Sequence, residues 1–148
     1  MSEEVKKAER EVIVDKPSTR TPLQSFRDLL VWRRSMELTV AVYKLTQHFP
    51  REEVFGITSQ LRRSAISIPS NIAEGHGRMN PREFKHFLLI ARASNCELQT
   101  QLELSGALGF VEARLLTTAQ EISHEVEKML FALLCNLKNK AVEAHKHT

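Results

Sequence analysis

Several features that define familiar protein classes are scarce or missing in this chain. Two cysteines, Cys96 and Cys135, are too few for a disulfide framework. Five glycines and five prolines in 148 residues, with long stretches free of both, disfavour a many-turned β fold. The N-terminus is charged, unlike a signal peptide, and no window is apolar enough to span a bilayer. We therefore expect a cytoplasmic, bacterial-type protein with no membrane segment.

The motifs of common enzymes are missing as well. We find no phosphate loop, dinucleotide fingerprint or nucleophile elbow. Glu83-x-x-His86 and Glu121-x-x-His124 have the spacing of di-iron ligands, but the predicted helices separate them by about 24 Å along the bundle. The same helical rise per residue separates the two cysteines by about 16 Å, so we expect no intrachain disulfide. We expect both thiols to be packed or inert. We predict no catalytic residue, no cofactor and no metal site.

The composition that is present favours one globular, helical domain. Hydrophobic residues make up 42% of the chain, enough for a core. Four segments repeat apolar residues at spacings of three and four, and the connections between them are short, which predicts an all-α, antiparallel up-down four-helix bundle. The predicted helices cover residues 26–48, 52–74, 81–109 and 112–140. The bundle (26–140) is expected between an N-terminal arm (1–25) and a polar C-terminal tail (141–148).

Capping residues mark where two of these helices begin. Ser25 is placed as an N-cap with Asp28 three residues on. Asn80 precedes a proline at the first helical position, and Glu83 completes a capping box. The first and third helices are therefore predicted to start at residues 26 and 81.

The second helix carries two unusual features. Pro69 lies inside its apolar run and predicts a kink, and Gly75 or Gly77 is expected to supply a left-handed cap at its end. Beside the apolar stripe runs a stripe of small or uncharged polar residues that would let another helix approach closely. We assign this stripe to a bundle or oligomer interface: Gln60, Ser64, Ser67 and Asn71.

The first helix has more apolar surface than a lone bundle needs, since its stripes lie on nearly opposite faces. One stripe consists of Leu29, Trp32, Met36, Val40 and Tyr43. The other consists of Val31, Leu38, Val42, Leu45 and Phe49. Such an excess predicts self-association, and we assign Leu38, Val42 and Leu45 to a bundle or oligomer interface.

The N-terminal arm has five basic and five acidic residues and a single apolar cluster, Val12 to Val14. Its composition favours a flexible, disordered arm. The alternative is a strand or hook that docks on a partner through the apolar cluster.

Arginines offer the only candidate contacts for a charged partner. The net charge is +3, and because the arm is neutral the surplus lies in residues 26–148, which hold 16 basic and 13 acidic residues. We single out five arginines for phosphate or partner contacts: Arg33, Arg34, Arg62, Arg63 and Arg78. They form either a solvated face with ion pairs between subunits or a phosphate-binding rim. No aromatic-rich platform for base stacking accompanies them.

Four ordered patterns resemble a known family. They are Phe26-x-x-Leu29-x-x-Trp32 followed by Phe49-Pro50-x-Glu52-Glu53-x-Phe55-Gly56, then Gln60-Leu61-Arg62-Arg63-Ser64-Ala65-x-Ser67-Ile68-x-x-Asn71-Ile72-Ala73-Glu74-Gly75, and Glu83-Phe84-x-x-Phe87-Leu88-x-Ile90-Ala91-x-x-Ser94-x-x-Glu97-Leu98-x-x-Gln101-Leu102. The chain, from about Phe26 to Leu137, is similar to bacterial four-helix-bundle proteins labelled 23S ribosomal RNA intervening-sequence proteins.

The resemblance implies a bundle that assembles into a homopentameric ring. Relatives in that family serve as accessory proteins of diversity-generating retroelements, where the ring contacts a reverse transcriptase and nucleic acid. We therefore expect a non-enzymatic oligomer that presents a basic surface to RNA, DNA or a nucleic-acid enzyme. The alternatives are a purely structural adaptor that binds protein and no nucleic acid, and a bundle enzyme or metal protein.

Overall fold

A computed structural model describes residues 25–147 and confirms the predicted all-α four-helix bundle. The four long helices are α1 (Leu30–Thr46), α2 (Ile57–Gly77), α3 (Pro81–Ala107) and α4 (Ala113–Lys146). Single 3-10 turns at Phe26–Asp28 and Arg51–Glu53 precede α1 and α2. The arm predicted for residues 1–25 lies outside the described residues except for Ser25, and so does Thr148.

Each helix packs against its two neighbours in the chain order α1, α2, α3, α4 and back to α1. Because the connections are short, neighbours run antiparallel, and α2 ends at the same end of the bundle where α3 begins and α4 finishes. Every long helix contributes side chains to one shared core. Its fully buried large members are Leu38, Val42, Leu61, Ile68, Ile72, Leu88, Leu98, Leu102, Val126 and Leu130.

The first predicted helix is interrupted, contrary to the continuous helix expected over 26–48. Ser25 and Asp28 form the predicted capping box, but it closes only the 3-10 turn. Leu29 is extended, with φ −73° and ψ 122°, and α1 begins after it. The extended residue buries its own side chain and folds Phe26 back, so that this ring meets Trp32 edge-on with 5.2 Å between centroids. Core burial therefore outweighs helix continuity at this position.

Gly75 does not cap α2, contrary to expectation. The helix continues through Gly77, and the left-handed residue of the following turn is Met79, with φ 54°. Gly75 is buried, and a Cβ atom placed on it would lie 2.6 Å from the Cβ atom of Phe87 in α3. The glycine is therefore required by the close approach of α2 and α3. The helix also runs through the buried Pro69 without a break, and the kink there stays a prediction.

The last two helices differ from the prediction at their ends. Asn80 caps α3 as expected, since its side-chain oxygen accepts from the backbone amides of Arg82 and Glu83. The Glu83 carboxylate, expected to complete a capping box, lies 3.9 Å from the Arg78 guanidinium. α4 is helical to Lys146, so the predicted tail from residue 141 belongs largely to this helix.

A buried polar pair fixes the register of α3 against α4. The Asn95 side-chain amide donates to the Ser123 carbonyl at 3.0 Å, and the Ser123 hydroxyl donates to Asn95 Oδ1 at 2.8 Å. Both side chains are fully enclosed, so each hydrogen bond replaces one to water. This pair sets which residues of α3 and α4 lie at the same level.

Replacing Gly75 by Ala tests the α2–α3 contact. We expect Gly75→Ala to lower the free energy of unfolding by about 1–3 kcal/mol, because the added methyl overlaps a side-chain carbon attached directly to the backbone of α3. Chemical denaturation at one fixed subunit concentration measures the change. Gly77→Ala is the matched control, since no atom lies within 4 Å of its added Cβ. Equal effects of the two substitutions would contradict the close-approach account.

Candidate self-association and nucleic-acid interface

The structure separates the two apolar stripes of α1. One stripe is buried inside the subunit, and it includes the three residues assigned to a bundle or oligomer interface: Val31, Leu38, Val42, Leu45 and Phe49. The other stripe is exposed over its central part, with Met36 42%, Val40 52% and Tyr43 37% accessible. The bundle therefore uses one face of α1 and leaves the second face without a partner within the described part of the chain.

The polar stripe of α2 is engaged within the same subunit. Ser64 is buried, the Ser67 hydroxyl lies 2.8 Å from that of Ser94 in α3, and the Asn71 amide donates to the Ser67 carbonyl at 2.7 Å. Gln60 is exposed. Ser67 therefore takes part in the α2–α3 contact, and Asn71 bonds back to its own helix.

A groove lies beside the exposed stripe, between α1 and α2, and we call it the α1–α2 groove. Its cavity volume is about 620 Å³. Tyr43, Val54 and Ile66 provide apolar walls, and Arg62 and Arg63 provide positive charge. Val54 and Ile66 are about half exposed, so the groove extends the apolar surface of α1 onto α2.

Two predicted arginines border this groove with no carboxylate partner. The Arg62 guanidinium stacks on the Tyr43 ring, 4.6 Å from its centroid, and its Nε donates to Thr46 Oγ1 at 2.9 Å. These contacts hold Arg62 in one orientation. Arg63 is exposed, and no ion pair joins it to any residue between 25 and 147. This pair therefore keeps its positive charge available to a ligand.

Arg34 and Arg78 are neutralised by carboxylates instead. Arg34 Nε donates to Glu125 Oε2 at 2.5 Å, and Nη1 pairs with Glu37; these hydrogen bonds, led by Glu125, raise the pKa of Arg34. Arg78 donates to Glu74 at 2.9 Å, and this bond raises its pKa as well. Both guanidiniums stay charged, but neighbouring carboxylates compensate their charge and compete with a phosphate for it.

The five predicted arginines do not converge on one site. The guanidinium of Arg33 is exposed and donates to the Asp28 carbonyl at 3.2 Å. Arg33 lies 13 residues before the end of α1, about 20 Å along the bundle from the level of Arg62, which contacts Thr46 at that end. Arg78 lies beyond the far end of α2. Of the five, Arg62 and Arg63 are the two that the described residues bring together in one groove.

A second apolar patch lies on the α3–α4 side of the bundle. Phe131 is 54% exposed, and the Arg92 guanidinium lies 5.5 Å from its ring centroid. Arg92 also donates to Glu127 at 2.7 Å, and Leu89, one turn before it, is exposed. The sequence analysis did not single out this patch, although Leu89 and Phe131 lie off the core stripes of their helices.

A basic cluster at the end of the bundle was also missed as a site. Arg82 and Lys85 of α3 share a groove with Lys138 and Lys146 of α4. The prediction that α4 ends at residue 140 hid this cluster. The spacing of basic residues after Lys138 is the signal that would have found it.

Remaining sequence expectations concern metals, thiols and membranes. Glu83, His86, Glu121 and His124 are all exposed, and among the described residues no three His, Cys, Asp or Glu side chains cluster to hold a metal ion. Both cysteines are free and exposed, so the thiols are not packed, and their inertness stays a prediction. None of the helices in the described range is both long and apolar enough to cross a membrane.

The geometry defines a class of all-α bundle with two exposed apolar patches and an arginine-lined groove. A family model described as "23S rRNA-intervening sequence protein" matches residues 27–132, and the chain belongs to this family. It is similar to a crystal structure from Bacteroides thetaiotaomicron VPI-5482, described as a protein of unknown function from the S23 ribosomal protein family. That similarity has a TM-score of 0.66 and 25% identity over 71% of this chain and 98% of the other. No curated protein matches the sequence.

Substituting Arg34 tests whether this arginine is structural. We expect Arg34→Ala to lower the free energy of unfolding by about 0.5–1 kcal/mol, because it removes the ion pair between α1 and α4. About 1 M salt, which shortens the Debye length to about 3 Å, should reduce this loss of stability. Arg33→Ala is the control and should change stability by less than about 0.5 kcal/mol. Equal effects of both substitutions at low and high salt would contradict this role.

Proposed function

We propose that this chain is a non-enzymatic assembly protein that forms a homopentameric ring and presents a basic surface to RNA, DNA or a nucleic-acid enzyme of the reverse-transcriptase type. The observation that carries the proposal is the unpartnered second stripe of α1, Met36, Val40 and Tyr43. A helix that packs in a single bundle needs one apolar stripe, and the second lowers solubility unless a partner covers it.

The positions of the two apolar patches favour a ring over a two-fold dimer. Tyr43 of the α1 stripe and the α1–α2 groove lie on one side of the bundle, and the patch around Phe131 lies on the α3–α4 side. Val40 of the same stripe borders a smaller groove between α1 and α4. Because the helices follow one another around the core, the α1–α2 and α3–α4 sides are opposite. A closed ring joins one face of each subunit to a different face of the next.

Charge and family support nucleic acid as the partner. Arg62 and Arg63 keep their charge at the edge of the α1–α2 groove, and a ring repeats this pair once per subunit. Repeated cations along a surface bind the phosphate backbone without reading its bases. The family description refers to the intervening sequence of 23S rRNA, which favours RNA.

The alternative function is a purely structural protein adaptor. Its support is that carboxylates neutralise Arg34, Arg78 and Arg92, so much of the positive charge is used within the subunit. If the unmodified protein retains no RNA at near-physiological salt, the adaptor is the correct function.

Introducing a charge into the exposed stripe tests self-association. We expect Val40→Asp to shift the protein toward monomers, because burying an unpaired carboxylate costs several kcal/mol. A loss of about 3 kcal/mol per contact weakens association by about a hundredfold, which sedimentation velocity over a range of concentrations detects.

Leu108→Asp is the control, because Leu108 is also an exposed apolar residue but lies at the turn after α3. It should leave assembly unchanged. A Val40→Asp protein that assembles like the unmodified one would contradict the interface.

Reversing the charge of Arg62 and Arg63 together tests the basic surface. We expect the double Glu variant to lose about tenfold or more of its RNA affinity, and to show a weaker salt dependence, because fewer counterions are released. Filter retention at several salt concentrations measures both. Reversing Arg27 and Arg114, two exposed arginines elsewhere, is the control with the same change in net charge. Unchanged retention with an intact oligomer would remove Arg62 and Arg63 from the site.

A further inference from the structure

A second groove lies where α3 begins and α4 ends, and we call it the α3–α4 end groove. Its cavity volume is about 800 Å³. The floor is apolar and is formed by Pro81, Leu137, Ala141 and Val142. Val142 is half exposed, so this floor leaves apolar surface open to water. The groove lies at the opposite end of the bundle from Arg62 and Arg63.

The charged side chains around the rim of this groove are all basic. Arg82 and Lys85 stand on α3, and Lys138 and Lys146 stand on α4. None of these four side chains forms an ion pair or hydrogen bond with residues 25–147, and no carboxylate lines the groove. Four like charges around one cavity repel one another unless an anionic partner compensates them.

The combination of charge and floor favours a peptide over a nucleic acid. Phosphate backbones are bound by cations and need no apolar floor. No Phe, Tyr or Trp ring lines the groove, and the single imidazole of His145 is the one ring on which a base could stack there. The matching ligand has aliphatic side chains for the floor and carboxylates for the rim.

The chain itself contains such a segment. Glu11, Val12, Ile13, Val14 and Asp15 are consecutive, so that three branched aliphatic residues lie between two carboxylates. These are also the only clustered apolar residues in the first 25. We propose that the α3–α4 end groove binds the segment Glu11–Asp15, with the aliphatic side chains on the floor and the two carboxylates at the basic rim.

Chain length permits this contact within one subunit. The 2.5 Å bond from Arg34 to Glu125 places the first turn of α1 level with Glu125. Leu137 lies twelve residues further along α4, about 18 Å toward the same end, and α1 covers about 6 Å of that rise between Arg34 and Leu30. The ten residues from Asp15 to Ser25 span up to about 33 Å. This length is enough to cover the remaining distance along the bundle and to cross one helix spacing of about 10 Å.

Photo-crosslinking in the full-length protein tests the proposal. Ile13 is replaced by benzoylphenylalanine, and the crosslinked peptides are identified by mass spectrometry. We expect crosslinks to residues 81–85 and 137–146. The double variant Lys85→Glu, Lys138→Glu should reduce the yield of these crosslinks about tenfold, which corresponds to a loss of about 1.4 kcal/mol of binding free energy. Adding Glu11→Lys and Asp15→Lys to that double variant should restore the crosslinks, because the reversed charges of segment and groove attract again. Arg27→Glu with Arg114→Glu is the control and should leave them unchanged.

Other outcomes would overturn the proposal. Crosslinks spread over other helices, or crosslinks to the groove that survive the reversal of Lys85 and Lys138, would show that charge and floor do not select this segment. If the reversed groove loses RNA retention while Ile13 crosslinks elsewhere, the groove is a phosphate site and the proposal is wrong. Circular dichroism of each variant checks that the helices are intact.

Discussion

The close contact between α2 and α3 is the constraint on which the rest of the bundle depends. Gly75 leaves room for the Cβ atom of Phe87, and the hydroxyls of Ser67 and Ser94 meet at 2.8 Å. These two helices make the most extensive contact of any pair in the described chain. Small residues bring the two backbones together at this contact, and the bulky side chains of all four helices fill the shared core beside it.

This arrangement determines which surfaces remain for partners. α1 turns one stripe inward and is left with Met36, Val40 and Tyr43 facing outward. Charge is divided in a similar way. Carboxylates from neighbouring turns and helices compensate the arginines at the middle of the bundle. By contrast, the cations of the α1–α2 groove and of the α3–α4 end groove have no carboxylate partner among residues 25–147. The proposed self-association and anion binding therefore use surfaces that do not pack within the subunit.

Helical periodicity was sufficient to predict the four helices and the core stripes, because amphipathic spacing is a local property of each segment. Local signals could not reveal that Leu29 leaves the helix to reach the core, or that Gly75 is needed by a helix that follows it in the chain. The arginines show the same limit. Arg34 finds its carboxylate on Glu125, 91 residues away, so its sequence neighbours do not distinguish it from Arg63. Packing between helices decides which cations stay available.

The central claim is that the outward stripe of α1 joins copies of this chain, and the absolute mass of the unmodified protein tests it most directly. Light scattering at moderate salt, with and without added RNA, provides that mass. The account predicts about 85 kDa, five subunits of 16.9 kDa, in a ring that gains further mass with RNA. A mass of one subunit at every concentration would contradict it and would mean that the second stripe serves another partner.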